Sequence, residues 1–286
     1  MTTNARRIAS TLMLGAVWIV LAPATSHAQT TKPTTQPAAK PNTQPARERS
    51  APATAFAQRI ERAHGMDAWQ NKQALKTDLV VHFGGAELVN GTMIYDMHTS
   101  RVRMEMTNGT TLIFDGEKAW VSPSSAEAPM ARFHLLTWPY FLAAPFKLRD
   151  PGTHLESSEI LPIQDTVTAT RKLTFDEGVG DAPDDWYIIY PDLATNRLAV
   201  MAYIVSYGKG VEEAEKEPHA IVYHDYETID GVTLSTRWMF HHWSAEEGAH
   251  GEPIGEVHVS NVTFVDVDET TFAKPDDARE DKLPDG

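Results

Sequence analysis

The sequence predicts a mainly β fold of the α+β class, in which about ten antiparallel strands form a meander with one or two covering helices. Apolar and polar residues alternate through most of the chain after residue 75, which is the period of a half-buried strand. Turn dipeptides follow several of these runs, since Gly accepts the positive φ that tight hairpins require. They are Asn90-Gly91, Asn108-Gly109, Asp115-Gly116 and Asp230-Gly231. Short turns between strands favour a meander over parallel βαβ units.

Residues 1–28 are predicted to be a secretory signal peptide. Arg6 and Arg7 precede an almost uncharged apolar run over 8–22, and Ser26 and Ala28 are small residues at the −3 and −1 positions of a cleavage site. The run is shorter than the roughly 20 apolar residues that span a bilayer. We therefore expect export to the periplasm of a Gram-negative-type bacterium, with no stable membrane insertion after cleavage.

The rest of the chain divides into a linker, one domain and a tail. Residues 29–54 repeat Thr, Pro, Gln and Ala, a composition that cannot bury a core and predicts a disordered linker. Residues 55–276 are predicted to form a single β domain. Residues 277–286 are charged, with Pro and Gly near the end, and predict an acidic, disordered tail.

Charge and cysteine content exclude several classes of function. The 286 residues include 39 acidic and 25 basic side chains and no cysteine. Six of the basic residues and one acidic residue lie in 1–54, so the remainder carries a net charge of −19. Such a field argues against nucleic acid as a partner, because phosphate binding depends on Lys and Arg. Without cysteine there is no disulfide, no thiolate metal site, no thiol nucleophile and no cysteine-linked lipid anchor.

The first predicted element of the domain is a helix over 55–68, and most of the others are strands. Phe56, Ile60 and Ala63 share one stripe of this helix, and Gly65 lies near its end. Period-two alternation or strand-like composition then predicts strands over 75–83, 102–106, 186–190, 198–207, 220–228, 232–242 and 256–265. The acidic pairs Asp184-Asp185 and Glu212-Glu213 fall in polar loops and are expected to be solvated.

An aromatic segment over 130–148 interrupts the strands. Arg132 and Lys147 are its only charged residues, and Pro139 and Pro145 are expected to interrupt a helix and leave a short helix followed by a bent apolar loop. The segment either covers one face of the sheet or forms a lid over an apolar cavity.

Short motifs along residues 55–276 resemble the LolA/LolB-like group of exported carriers. These motifs are Ala63-His64-Gly65 with Trp69, residues 114–120, 190–198, 226–232 and 259–264, and the closing Phe272 and Pro275. The segments 138–141 and 145–148 are similar to an uncharacterised exported branch of this group. The resemblance implies a curved antiparallel half-barrel that wraps around helical cover and encloses a hydrophobic cavity, and it implies an apolar ligand such as a lipid or acyl group.

The expected function is therefore a non-catalytic, exported module that binds an apolar small molecule or lipid on the concave side of the sheet, without a cofactor. Large apolar residues of the predicted strands and of the aromatic segment are the candidate ligand contacts. They are Met104, Met106, Trp138, Phe141, Phe146, Trp186, Tyr203 and Trp238.

Two alternatives stay open on the sequence. The same fold could present a surface to an envelope protein, as an interaction or sensory module whose cavity is filled by its own side chains. A metal-assisted hydrolase would need a site assembled from distant strands, such as His224, His242 and His258 with Asp225. The sequence contains neither an HExxH helix motif nor a Gly-x-Ser-x-Gly elbow. We therefore expect no catalytic residue and no metal ligand.

Overall fold

The computed structural model describes residues 50–163 and 166–284, without the side chains of residues 157 and 158. The predicted signal peptide and the predicted linker up to residue 49 lie outside the described residues.

Two helices open the domain where one was predicted. Helix α1 (Ala51–His64) begins within the predicted linker, because the side chain of Ser50 caps it by accepting a hydrogen bond from the Ala53 N–H at 3.4 Å. Gly65 ends α1 with a φ of 81°, and α2 (Met66–Gln70) follows. A Cβ on Gly65 would lie 2.0 Å from the Gly231 carbonyl oxygen, so only glycine fits between this helix end and the sheet.

Buried polar contacts fix α1 to the rest of the domain. Glu61 accepts hydrogen bonds from the Arg149 guanidinium at 2.5 to 2.9 Å. Nε2 of His64 accepts the Leu198 N–H at 2.9 Å, and Nδ1 lies 2.8 Å from the Thr233 carbonyl oxygen. His64 is therefore the neutral tautomer with its proton on Nδ1. Burial lowers the pKa of His64 to about 4.

Every strand pair in the described residues is antiparallel, which confirms the mainly β prediction, but the strands number thirteen and not about ten. The strands are β1 (Ala74–Phe83), β2 (Ala86–Asp96), β3 (Val102–Met106), β4 (Thr111–Phe114), β5 (Ala119–Ser122), β6 (Thr153–Ile163), β7 (Thr166–Phe175), β8 (Tyr187–Pro191), β9 (Leu198–Tyr203), β10 (His219–Ile229), β11 (Val232–Ser244), β12 (Gly248–Val265) and β13 (Arg279–Asp281). They form one sheet in the order β13-β5-β4-β3-β2-β1-β12-β11-β10-β9-β8-β7-β6.

The dipeptide Asn90-Gly91 was expected at a turn and lies inside β2 instead. Gly91 pairs with Met106 of β3, and a Cβ at this position would lie 2.3 Å from the Glu105 carbonyl oxygen. The glycine is explained by the close approach of a neighbouring strand, so the turn prediction was wrong here.

The aromatic segment is a helix that continues through its first proline. Helix α3 (Ala131–Ala143) contains Pro139, and a 3-10 turn over Ala144–Phe146 follows. The prediction that Pro139 ends the helix was therefore wrong. Trp138 and Phe141, on either side of the proline, are buried, and this burial favours the helix over the bent loop.

The sheet curves around α3. The helix packs against β3, β4 and β5, while the Phe141 ring lies 5.1 Å from the Tyr203 ring on β9. These strands lie on opposite sides of the middle strand, β12, so both halves of the sheet face the same helix. One or two covering helices were predicted, and α1 and α3 take this position.

The predicted tail contains a strand. Residues 279–281 form β13, which pairs with β5 at one edge of the sheet. The Asp281 carboxylate also accepts the Arg132 backbone N–H at 2.8 Å, in the first turn of α3. Met130, at the N-cap position of α3, has no side-chain capping bond, so the C-terminal segment supplies the cap. Charge composition did not reveal this long-range pairing.

A second, smaller cluster of apolar residues lies on the opposite face of β8, β9 and β10. Ile188, Val200 and Ala220 belong to it, and Leu161 from β6 packs with them. Among the described residues, no helix has the length and apolar character needed to cross a bilayer.

Candidate functional site

A cavity of about 510 Å³ lies beside α3, on the face of the sheet that this helix covers. Tyr95 of β2 and Phe114 of β4 line it on one side, and Phe175 of β7 and Tyr187 of β8 line it on the other. The two ends of the curved sheet thus approach each other across the helix. The volume falls within the roughly 300–1,000 Å³ of small-molecule sites.

Aliphatic and aromatic side chains form most of the wall. Leu135 and Leu136 come from α3, and Val179 and Val205 come from loops that follow β7 and β9. These residues offer apolar surface on two sides of the same space.

Three aromatic rings form a cluster on this wall, which we call the ring cluster (Tyr140, Phe175 and Tyr187). The Tyr140 and Tyr187 ring centroids are 5.5 Å apart, and Phe175 lies 6.4 Å from Tyr140 and 5.7 Å from Tyr187. Offset and edge-to-face contacts at these distances are favourable, so the three rings support one another.

Each cationic side chain on the wall is paired with a carboxylate. Arg132 makes a bidentate pair with Asp181, with N–O distances of 2.5 and 2.8 Å. The Lys147 ammonium lies 3.2 Å from Asp150. Burial lowers the pKa of Lys147, but Tyr95 and Asp150 raise it by more, so Lys147 remains charged.

Asp185 is a buried carboxylate on the same wall, with 8% of its surface exposed. One of its oxygens accepts the Ser206 N–H at 2.7 Å. Burial raises the pKa of Asp185 to about 6, although the hydrogen bonds from Ser206 oppose the shift. The expectation that Asp184 and Asp185 are both solvated therefore holds for the exposed Asp184 and fails for Asp185.

A signal for Asp185 was present in the alternation of β8. Tyr187 and Ile189 of β8 belong to the main core beneath α3, and Asp185, two residues before this strand begins, lines the cavity together with Tyr187. The order of the residues thus aims Asp185 toward the helix-covered face.

Of the eight residues predicted to contact the ligand, Phe141 lines this cavity. Five others are buried in the core that α3 and the sheet share: Met104, Trp138, Phe146, Tyr203 and Trp238. Met106 is partly buried at the margin of that core. Trp186 lies on the opposite face of the sheet, with its ring 5.7 Å from that of Trp243.

The histidines named for a metal site are not brought together. Strand register places Arg237 between His224 and His258, and a guanidinium is not a metal ligand. His242 lies instead in a row with His219 and His250, with ring centroids 5.7 and 6.4 Å from theirs. Over residues 50–163 and 166–284, no group of three His, Asp or Glu side chains has an arrangement that could hold a metal ion.

Comparison with known proteins gives matches of structure and not of sequence. Neither a family profile nor a curated protein sequence matches the chain. A LolA superfamily protein from Nitrosomonas europaea has a TM-score of 0.49 and 13% identity, and the match covers 78% of this chain and 97% of that one. A DUF1329 family protein from Desulfovibrio piger has a TM-score of 0.41 and 12% identity, with 78% and 98% covered.

Proposed function

We propose that this chain is an exported, non-catalytic binding module that holds an apolar ligand, such as the acyl chain of a lipid, in the cavity beside α3. The observation that carries the proposal is the cavity itself, about 510 Å³ of space between α3 and the two ends of an otherwise closely packed sheet. Transfer of each CH₂ group from water to such a wall contributes about 0.8 kcal/mol.

Export is the part of the proposal that rests on the sequence. The predicted signal peptide over 1–28 and the absence of cysteine are consistent with a periplasmic protein that needs no disulfide.

The first experiment fills the cavity. Val205→Trp adds a bulky ring to the wall, whereas Leu193→Trp adds the same ring to an exposed position, where 67% of the leucine is accessible. We expect the wild type to take up a neutral fluorescent acyl probe, Val205→Trp to bind it at least tenfold more weakly, and Leu193→Trp to match the wild type. Lipid extraction and mass spectrometry of the protein purified from its native envelope should recover an apolar ligand.

Failure would be clear in the same measurements. If the wild type takes up no probe and the extract contains no apolar ligand, the cavity is not a binding site for such molecules.

An interaction module remains the second candidate, and one observation favours it. Ile160 and Val167 are 69% and 55% exposed near the tip of the β6–β7 hairpin, and β6 is the last strand of the sheet. Exposed apolar residues on an edge hairpin are typical of contact with another protein. The ligand-binding function is better supported, because this alternative requires a filled cavity.

A further inference from the structure

We infer that the cavity selects amphiphiles whose head group carries a cationic nitrogen, and that Asp185 and the ring cluster receive this head group. The inference rests on the proposed function, since it assigns the chemical class of ligand to the same cavity.

The charged side chains of the cavity wall do not balance one another. Glu117, Asp150, Asp181 and Asp185 are the acidic residues of the lining, and Arg132 and Lys147 are the basic ones. Asp181 and Asp150 pair with the two cations. Within the described residues, no cationic side chain lies within ion-pair distance of Glu117 or Asp185, and Lys209 acts on Asp185 only from farther away. The lining therefore has an excess of negative charge, which attracts a cation.

Asp185 shares its part of the cavity wall with aromatic rings. Asp185 lines the same cavity as all three members of the ring cluster, and it lies two residues before Tyr187 in the chain. Burial is the main cause of the raised pKa of Tyr140 and Tyr187, and the nearby Asp185 charge adds to both shifts. Aromatic faces beside an anion are the usual receptor for an ammonium group, which is attracted by the π-electrons and by the charge.

An anionic head group finds no equivalent partner. The fork of Arg132 is occupied by both oxygens of Asp181, and Arg132 also donates to the Glu117 carbonyl oxygen at 3.0 Å. Lys147 is paired with Asp150. A fatty-acid carboxylate would have to displace one of these partners and approach Asp185, and both changes oppose binding.

The test compares three ligands with the same chain on the full-length protein. Decyltrimethylammonium, decanol and decanoate are titrated by calorimetry at pH 7.5, each below its micelle concentration. We expect decyltrimethylammonium to bind at least tenfold more tightly than decanoate, with decanol between them. In Asp185→Asn the cation should bind with nearly the affinity of decanol. Asp184→Asn removes the same charge from the adjacent exposed position and should retain the wild-type preference.

The outcomes separate this inference from the proposed function. If decanol binds and decanoate binds as tightly as the cation, the cavity is apolar but not selective, and the inference alone fails. If none of the three binds, the proposed function fails as well. The three wild-type affinities test the inference even if Asp185→Asn does not fold. Tyr140→Leu removes a ring without changing the charge, and it should weaken binding of decyltrimethylammonium and leave binding of decanol unchanged.

Discussion

At the scale of single residues, Asp185 is buried at a position where an ionised carboxyl group is unfavourable. Its pKa of about 6 lies above the ordinary 3.8, so the folded chain binds this proton more tightly than the unfolded chain does. The ionised group therefore destabilises the fold above pH 6, and this destabilisation disappears as the pH falls from about 6 toward 4. A destabilising charge retained on a cavity wall is typical of a binding residue.

Asp185→Asn should consequently stabilise the protein without ligand at pH 7.5. We expect a gain of up to about 3 kcal/mol in the free energy of unfolding, since each pKa unit corresponds to about 1.4 kcal/mol. Urea unfolding of the variant and the wild type at pH 7.5 and pH 5 measures the effect, and the difference should shrink at the lower pH. Asp184→Asn is the control and should change stability little. A loss of stability at pH 7.5 would contradict this account of Asp185.

At the scale of elements, the ranges predicted from the sequence correspond to seven of the thirteen strands, and three further features show why local patterns were insufficient. Pro139 was expected to end a helix, but burial of its neighbours Trp138 and Phe141 favours continuation. Gly91 was expected at a turn, but glycine is required here by the close approach of the next strand, β3. Arg279–Asp281 shows only charge in the sequence, and its strand depends on pairing with β5. Local patterns do not encode such long-range contacts.

The capping of α3 by Asp281 gives a prediction at this scale. Asp281→Ala should leave the Arg132 N–H without its acceptor and lower the free energy of unfolding by about 1 kcal/mol, as loss of an N-cap side chain does. Hydrogen exchange should become faster in the first turn of α3. Asp276→Ala, at an exposed position of the same C-terminal segment, is the matched control. If hydrogen exchange in α3 is unchanged in Asp281→Ala, the C-terminal segment pairs with the sheet edge but does not cap the helix.

At the scale of the whole molecule, the candidate site exists because the two ends of the sheet meet across α3. The sequence predicted a cavity on the concave face, but six of the eight predicted contacts lie in the core between helix and sheet or at its margin, and Trp186 lies on the other face. Large aromatic residues in a sequence predict which side chains are buried. They do not show whether a buried side chain lies in the packed core or lines the cavity. That distinction depends on the distance between the sheet ends, which is set by packing around the helix.

Arg132 links the two ends of the sheet through α3. Its guanidinium donates to the Glu117 carbonyl oxygen in the β4–β5 turn and pairs with Asp181 in the loop after β7. Both charged side chains are almost buried. Arg132→Ala should therefore lower the free energy of unfolding by about 3–5 kcal/mol, because it leaves Asp181 as a buried charge without a partner.

The effect should also reach the cavity. In Arg132→Ala, hydrogen exchange should increase both in residues 115–118 and in residues 176–185, and the affinity for the neutral acyl probe should fall. Arg132→Lys should recover little of this, since an ammonium cannot form the bidentate pair. Lys118→Ala removes a partly exposed cation from the same turn and controls for net charge. If exchange increases on one side of the cavity and not on the other, Arg132 stabilises a single loop and does not hold the two sheet ends together.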